Sequence, residues 1–199
     1  IGKRVLNTID VAFPIVHGTN CEDGTVAGFL NLLDLPYVGP DIMASSIGMD
    51  KILQKKVLRA SGLPVVDFVA FYSMDYIKEE EKILKQVSEE LSFPVIVKPA
   101  RAGSSIGVSK VLKAENLSGA IIDAKLFDNK VLIEECLEDF RELNVSVMRV
   151  LGEIKVSCIE EITVGACVFD FEDKYIKDNI KRIVPAKLDE KVKIKIEDI

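Results

Sequence analysis

Up to about Leu137 the chain alternates short apolar runs with amphipathic segments, and beyond it the alternation stops. That pattern restricts the fold more than any single motif does, because strand–helix alternation builds layered α/β structure. "VAFPIVHG" predicts a buried strand from Val11 to Val16, ending at His17-Gly18. "TVAGFLNLL" spaces Val26, Phe29, Leu30 and Leu33 as one helix face, after the acidic start Glu22-Asp23. "LPYVGP" closes a short strand with Gly39-Pro40, so strand, helix and strand give the rhythm of a parallel sheet.

"MASSIGMDKILQKKVLRASG" reads as one helical region stopped by Gly62 and Pro64. "VVDFVAFY" is strand-like. "IKEEEKILKQVSEEL" puts Ile83, Leu84, Val87 and Leu91 on one face of a charged helix. "FPVIVKPA" and "VSKV" are strands on either side of a glycine–serine loop. A helix with Leu117, Ile121 and Ala124 inward follows, then the strand "KVLIEECL". After it, "LNVSVMRVLGEIKVSCIEEI" alternates strictly about Gly152, the signature of an antiparallel hairpin. The tail from Asp170 is mostly charged, with a possible start signal at Pro185. These zones predict three parts, 1–46, 47–137 and 138–199.

With 48% apolar and 29% charged residues the chain has enough of both to fold rather than stay disordered. Its formal net charge of −6 argues against nucleic acid as a partner, although a few local lysines suffice for a small anion. No apolar stretch reaches membrane-spanning length, and the first residues lack the order of a signal peptide. Cys21, Cys136, Cys158 and Cys167 form no close pair, so neither a disulfide framework nor a zinc cluster is expected. A soluble, reducing, cytoplasmic setting follows.

The chemistry concentrates in "VIVKPARAGSSIGVSKV", Val95 to Val111. Lys98 ends a strand. Gly103 and Gly107 can bring backbone N–H groups near an anion, and Ser104 and Ser105 add hydroxyl donors. The stretch matches neither the Walker pattern nor G-x-G-x-x-G. Local chemistry alone leaves two readings, a phosphate grip or a surface turn with a snorkelling lysine. Lys51 and Lys174, taken singly, read as solvated lysines. His17, the only histidine, stands at a strand end where α/β ligand sites form. Glu134, Glu135, Glu138 and Glu142 follow a buried strand, suited to ribose or amino groups and equally to an exposed acidic turn.

In order, four blocks resemble the D-alanine–D-alanine ligase family of the ATP-grasp superfamily: "FPIVHGTNCEDGTVAGFLNLLDLPYVGPDIMASSIGMDK", "PVIVKPARAGSSIGVSKV", "IEECLEDFRELNVSV" and "DFEDKYIKD". The first two are the more specific, and the resemblance runs to about Leu188. It implies an α/β (α+β) ATP-grasp fold: part of a parallel pre-ATP-grasp domain (1–46), a central α+β lobe (47–137), and the opening of an antiparallel lobe (138–199).

The resemblance further implies ATP-dependent joining of two D-alanines through an acyl phosphate, for cell-wall precursors. Lys51 and Lys98 would contact ATP phosphates, and Ser104 and Ser105 would lie in the covering loop. The backbone of Glu135, Cys136 and Leu137 would meet adenine, with Glu134 near its amino group and Glu142 on the ribose. Lys174 and Tyr175 would belong to a mobile closing loop, and His17 would sit near the substrate carboxylate. Related ligases join D-lactate or D-serine instead. A non-catalytic nucleotide-binding remnant is the alternative from another class. The family's magnesium carboxylates are expected beyond Ile199 and its glycine-rich strand turn before Ile1. Glu142 and Asn144 form an E-x-N, but ahead of the mobile loop, so it reads as the ribose site. No metal ligand is therefore assigned within these residues, and the chain alone is expected to be inactive or nearly so. A homodimer is expected only of an intact parent.

Overall fold

The computed structural model describes residues 8–163 and 181–199. Two compact units result, Ile1–Glu135 and Cys136–Ile199.

A four-stranded antiparallel sheet forms the centre of the first unit. Its strands are β1 (Phe68–Tyr72), β2 (Val95–Pro99), β3 (Ser109–Val111) and β4 (Lys130–Glu135), in the order β1-β4-β2-β3. Because successive side chains alternate across a strand, one face carries Val69, Phe71, Val95, Val97, Val131 and Ile133. Two helices cover that face, α4 (Ser73–Glu90) and α5 (Leu117–Ala124). They insert the inward residues read from the sequence: Ile83 and Val87 from the first, with Leu91 just past its end and Leu84 only partly buried, and Leu117, Ile121 and Ala124 from the second. The opposite face carries Ala100 and Leu132 against Ile52 of a third helix, α3 (Lys51–Ala60), with Phe68 and Ala70 alongside.

Two expectations change. The helical region after Met43 is two helices, α2 (Ile42–Met49) and α3, broken at Asp50. Asp50 takes an extended conformation, φ −86° and ψ 100°, so that its carboxylate can accept the N–H groups of Ile52 and Leu53. Hydrophobic spacing continues across the break, and only the capping chemistry interrupts it.

The parallel pair expected from Val11–Val16 and "LPYVGP" reduces to one parallel bridge, Ala12 to Tyr37. Parallel strands persist where both faces are covered. Here Val11, Phe13 and Ile15 stay exposed. Helix α1 (Thr25–Leu32) lies between the two segments, as the spacing predicts.

In the second unit β5 (Glu142–Asn144), β8 (Glu160–Thr163) and β9 (Lys181–Ile183) make an antiparallel sheet. The expected hairpin is present as β6 (Val147–Val150) and β7 (Glu153–Val156), turning at Leu151-Gly152 with positive φ at both. A C-terminal helix spans Glu190–Glu197. Among the described residues no helix is long and apolar enough to cross a membrane.

Candidate functional site

Register decides what meets on the α3 face of the sheet. Strand β2 pairs with β4 so that Ile96 stands opposite Glu134 and Lys98 opposite Leu132. Lys98 and Glu134 thus share a face and sit diagonally, within reach of a lysine stem. Their charged groups meet, Lys98 Nζ donating to Glu134 Oε1. From α3, Lys55 Nζ lies 2.8 Å from Glu134 Oε2. That contact is an ion pair off the hydrogen-bonding direction, since Oε2 is buried without an aligned donor. Burial alone would raise the Glu134 pKa. The ammonium groups of Lys98 and Lys55 outweigh it and hold the carboxyl below its usual range.

Lys51 opens α3, and its N–H donates to the Ala100 carbonyl at 3.0 Å. Its ammonium reaches the loop after β2, donating to the carbonyl of Ala102 at 2.7 Å. Burial and the nearby positive charge of Lys98 together lower its pKa from the usual lysine value. The helix start is fixed by Asp50, 3% exposed, whose Oδ2 also accepts a hydrogen bond from Lys130 at 2.6 Å. Burial pushes the Asp50 pKa up, and the Lys130 hydrogen bond and the backbone donors bring it below the ordinary value. At the loop's other side Arg101 grips Asp128.

The loop itself is unusual. Ser104, Ser105 and Gly107 all have positive φ, at 49°, 57° and 69°. Two consecutive non-glycine residues in that region are uncommon, and such backbone clusters at functional sites. A side chain added at Gly103 would come within 3.9 Å of the Gly18 Cα, so the His17-Gly18 turn faces the serine loop. His17 is mostly exposed, its Nδ1 3.9 Å from Glu22 Oε1.

Of the sequence-derived residues, Lys51, Lys98 and Glu134 come together, and the loop with Ser104 and Ser105 lies beside Lys51. Glu135 belongs to the same unit but its Oε1 accepts the Ser92 N–H at 2.9 Å. Cys136, Leu137 and Glu142 belong to the second unit. There Glu142 stands opposite Ile162 on β5, and the Cys136 thiol approaches the Leu137 carbonyl at 3.8 Å. Lys174 and Tyr175 lie outside the described residues.

Sequence reading missed Lys55 and Asp50. Lys55 follows Lys51 by four positions, which on a helix means one face. Asp50 precedes a lysine-rich helical run and is a capping residue type. Both signals were available. The partner Glu134 lies 79 positions from Lys55, and nothing local points to it.

Lys51 at the start of α3 reaches the loop after β2, and Lys98 of β2 meets Glu134 of β4; the solved structures that share this fold are D-Ala ligases, of the ATP-grasp class. Residues 57–199 match the family described as "D-ala D-ala ligase C-terminus", and residues 2–40 match "D-ala D-ala ligase N-terminus". The chain belongs to the D-alanine–D-alanine ligase family. It is 40% identical over 194 residues to the D-alanine–D-alanine ligase of Natranaerobius thermophilus, covering 98% of this chain and 53% of that protein. It is 43% identical over 196 residues to the ligase of Thermosipho melanesiensis, covering 96% and 52%. Among solved structures, the VanG D-Ala:D-Ser ligase from Enterococcus faecalis superposes with a TM-score of 0.83 at 33% identity, covering 96% of this chain and 54% of that one. The D-alanine–D-alanine ligase from Coxiella burnetii gives 0.77 at 29%, covering 96% and 49%. The chain spans about half the length of the curated relatives it matches.

Proposed function

We propose that the protein acts as an ATP-dependent D-alanine–D-alanine ligase. The observation that carries this reading is the convergence of Lys51 and Lys98 beside the positive-φ serine loop. Two neighbouring ammonium groups, one of them on the loop, suit a polyphosphate, whose charge must be offset as the terminal phosphoryl group transfers. The substrate chemistry is a phosphoryl transfer to the carboxylate of one D-alanine, followed by attack of a second D-alanine's amine on the acyl carbon and departure of phosphate.

Within this reading Lys51 and Lys98 hold the phosphates, and Ser104 and Ser105 cover them. Glu134 receives the adenine amino group. The backbone of Glu135, Cys136 and Leu137 borders adenine, Glu142 binds the ribose, and His17 faces the substrate carboxylate. Lys174 and Tyr175 belong to the closing loop, which keeps water from the acyl phosphate. Parts 1–46, 47–137 and 138–199 are then a partial pre-ATP-grasp domain, a central lobe and the start of a second lobe. A cytoplasmic location and a homodimer of the full-length protein complete the reading. Magnesium accompanies ATP in the expectation from resemblance. Among the described residues no group of three His, Cys, Asp or Glu could hold a metal ion, so no step is routed through one.

The VanG likeness supports a second reading, in which D-serine is the second substrate. Phosphate release by the full-length protein, with D-alanine alone and with D-serine or D-lactate added, separates the two. Mass spectrometry of the product should show D-alanyl-D-alanine as the main dipeptide. A mixed product in excess would favour the second reading, and no D-alanine-dependent phosphate release would remove both.

A further inference from the structure

We infer that Lys55 is a positioning residue: it serves as the standing counter-ion of Glu134, so that Lys98 can leave that carboxylate for the phosphates of a nucleotide. The inference rests on the nucleotide reading of Lys98 given above. Lys55, Lys98 and Glu134 have side chains only 14%, 18% and 13% exposed, and the two ammonium groups take opposite oxygens of one carboxylate. Lys55 is held on the side away from the serine loop. Its ammonium lies 3.4 Å from the Val66 carbonyl and 5.6 Å from the centre of the Phe68 ring. Lys51, one helical turn earlier, is the lysine of α3 that reaches the loop.

This placement divides the labour. A buried carboxylate stripped of its only cation is strongly disfavoured, whereas one that keeps a second cation is not. With Lys55 present, Lys98 can exchange Glu134 for a phosphate without leaving the carboxylate bare. With Lys55 replaced by an uncharged side chain, Lys98 is, among the described residues, the remaining cation paired with Glu134, and a nucleotide must compete with Glu134 for it. Lys55→Met should therefore weaken ATP binding by about tenfold or more. Lys55→Arg, which keeps the charge, should stay near the unmodified protein.

The test uses the 199-residue chain with two readouts. The first is the acetylation rate of Lys98, followed by mass spectrometry without nucleotide. The second is ATP affinity by calorimetry. Lys98 should acetylate more slowly in Lys55→Met than in the unmodified chain or Lys55→Arg, and the rate should return in Lys55→Met/Glu134→Gln. A merely structural role for Lys55 does not give this recovery. Lys55→Gln replaces the methionine variant if circular dichroism shows the latter unfolded. An unchanged Lys98 rate in Lys55→Met, or no recovery in the double variant, overturns the inference whatever ATP does. The labelling pattern with ATP affinity unmoved in Lys98→Ala would instead refute the nucleotide reading and, with it, the purpose assigned to Lys55.

Discussion

Replacing Asp50 removes two things at once, and their costs can be separated. Its Oδ1 accepts the Ile52 and Leu53 N–H groups at 3.1 and 3.2 Å, and its Oδ2 accepts from Lys130 at 2.6 Å. Loss of the cap costs about 1 kcal/mol. Breaking a buried ion pair costs about 3–5 kcal/mol when the remaining charge is stranded. Lys130 is not stranded, because its ammonium already lies 5.6 Å from the Tyr72 ring centre and its side chain keeps some exposure. The ion-pair share is accordingly nearer 1–2 kcal/mol, and Asp50→Ala should lose about 2–3 kcal/mol in all. Asp50→Asn keeps the capping oxygen and should lose only about 1–2 kcal/mol. Urea unfolding followed by circular dichroism measures both. Hydrogen exchange localises them, with the Ile52 and Leu53 amides losing protection in the alanine form and keeping it in the asparagine form. A loss under about 0.5 kcal/mol in Asp50→Ala, typical of surface changes, would refute the claim that Asp50 fixes the start of α3.

Gly107→Ala should lower the thermal midpoint, because φ is 69° there and the new Cβ would meet the Phe127 ring at 2.5 Å. A cost of about 1–2 kcal/mol corresponds to a few degrees at this chain length, and an unchanged midpoint would contradict the geometry. Acid stability should depend on Glu134, whose folded pKa is depressed by Lys98 and Lys55 below the ordinary value of 4.5. The unfolded chain binds a proton there more readily, so the contribution is full above that value and disappears as pH falls through the folded pKa. Glu134→Gln should flatten the acid limb of urea midpoint against pH, and an unaltered limb would count against the buried ion cluster.

Much of the four-stranded sheet and its covering helices was legible because their signals are local. Ile83, Val87 and Leu91, and Leu117, Ile121 and Ala124, each mark a single helix face, and those residues are buried. The hairpin about Gly152 was legible for the same reason. The break at Asp50 was hidden because apolar spacing runs straight through it and one carboxylate decides the matter. Val11–Val16 misled in the opposite direction, since an apolar run says what should be buried, not what the described residues place over it. At the site, strand-end Lys98 could be singled out from its neighbours. The pairing of Lys98 with Glu134 could not, because it depends on the β2–β4 register across 36 positions.

Calorimetric titration of ATP into the 199-residue chain tests the nucleotide site most directly, with Lys98→Ala as the diagnostic variant and Lys85→Ala on the exposed face of α4 as control. Saturable binding is expected in the unmodified chain and in Lys85→Ala, with an affinity lower by about tenfold or more in Lys98→Ala. Equal affinity in all three, or no binding to any, would contradict the assignment of Lys98 and its loop to a nucleotide phosphate.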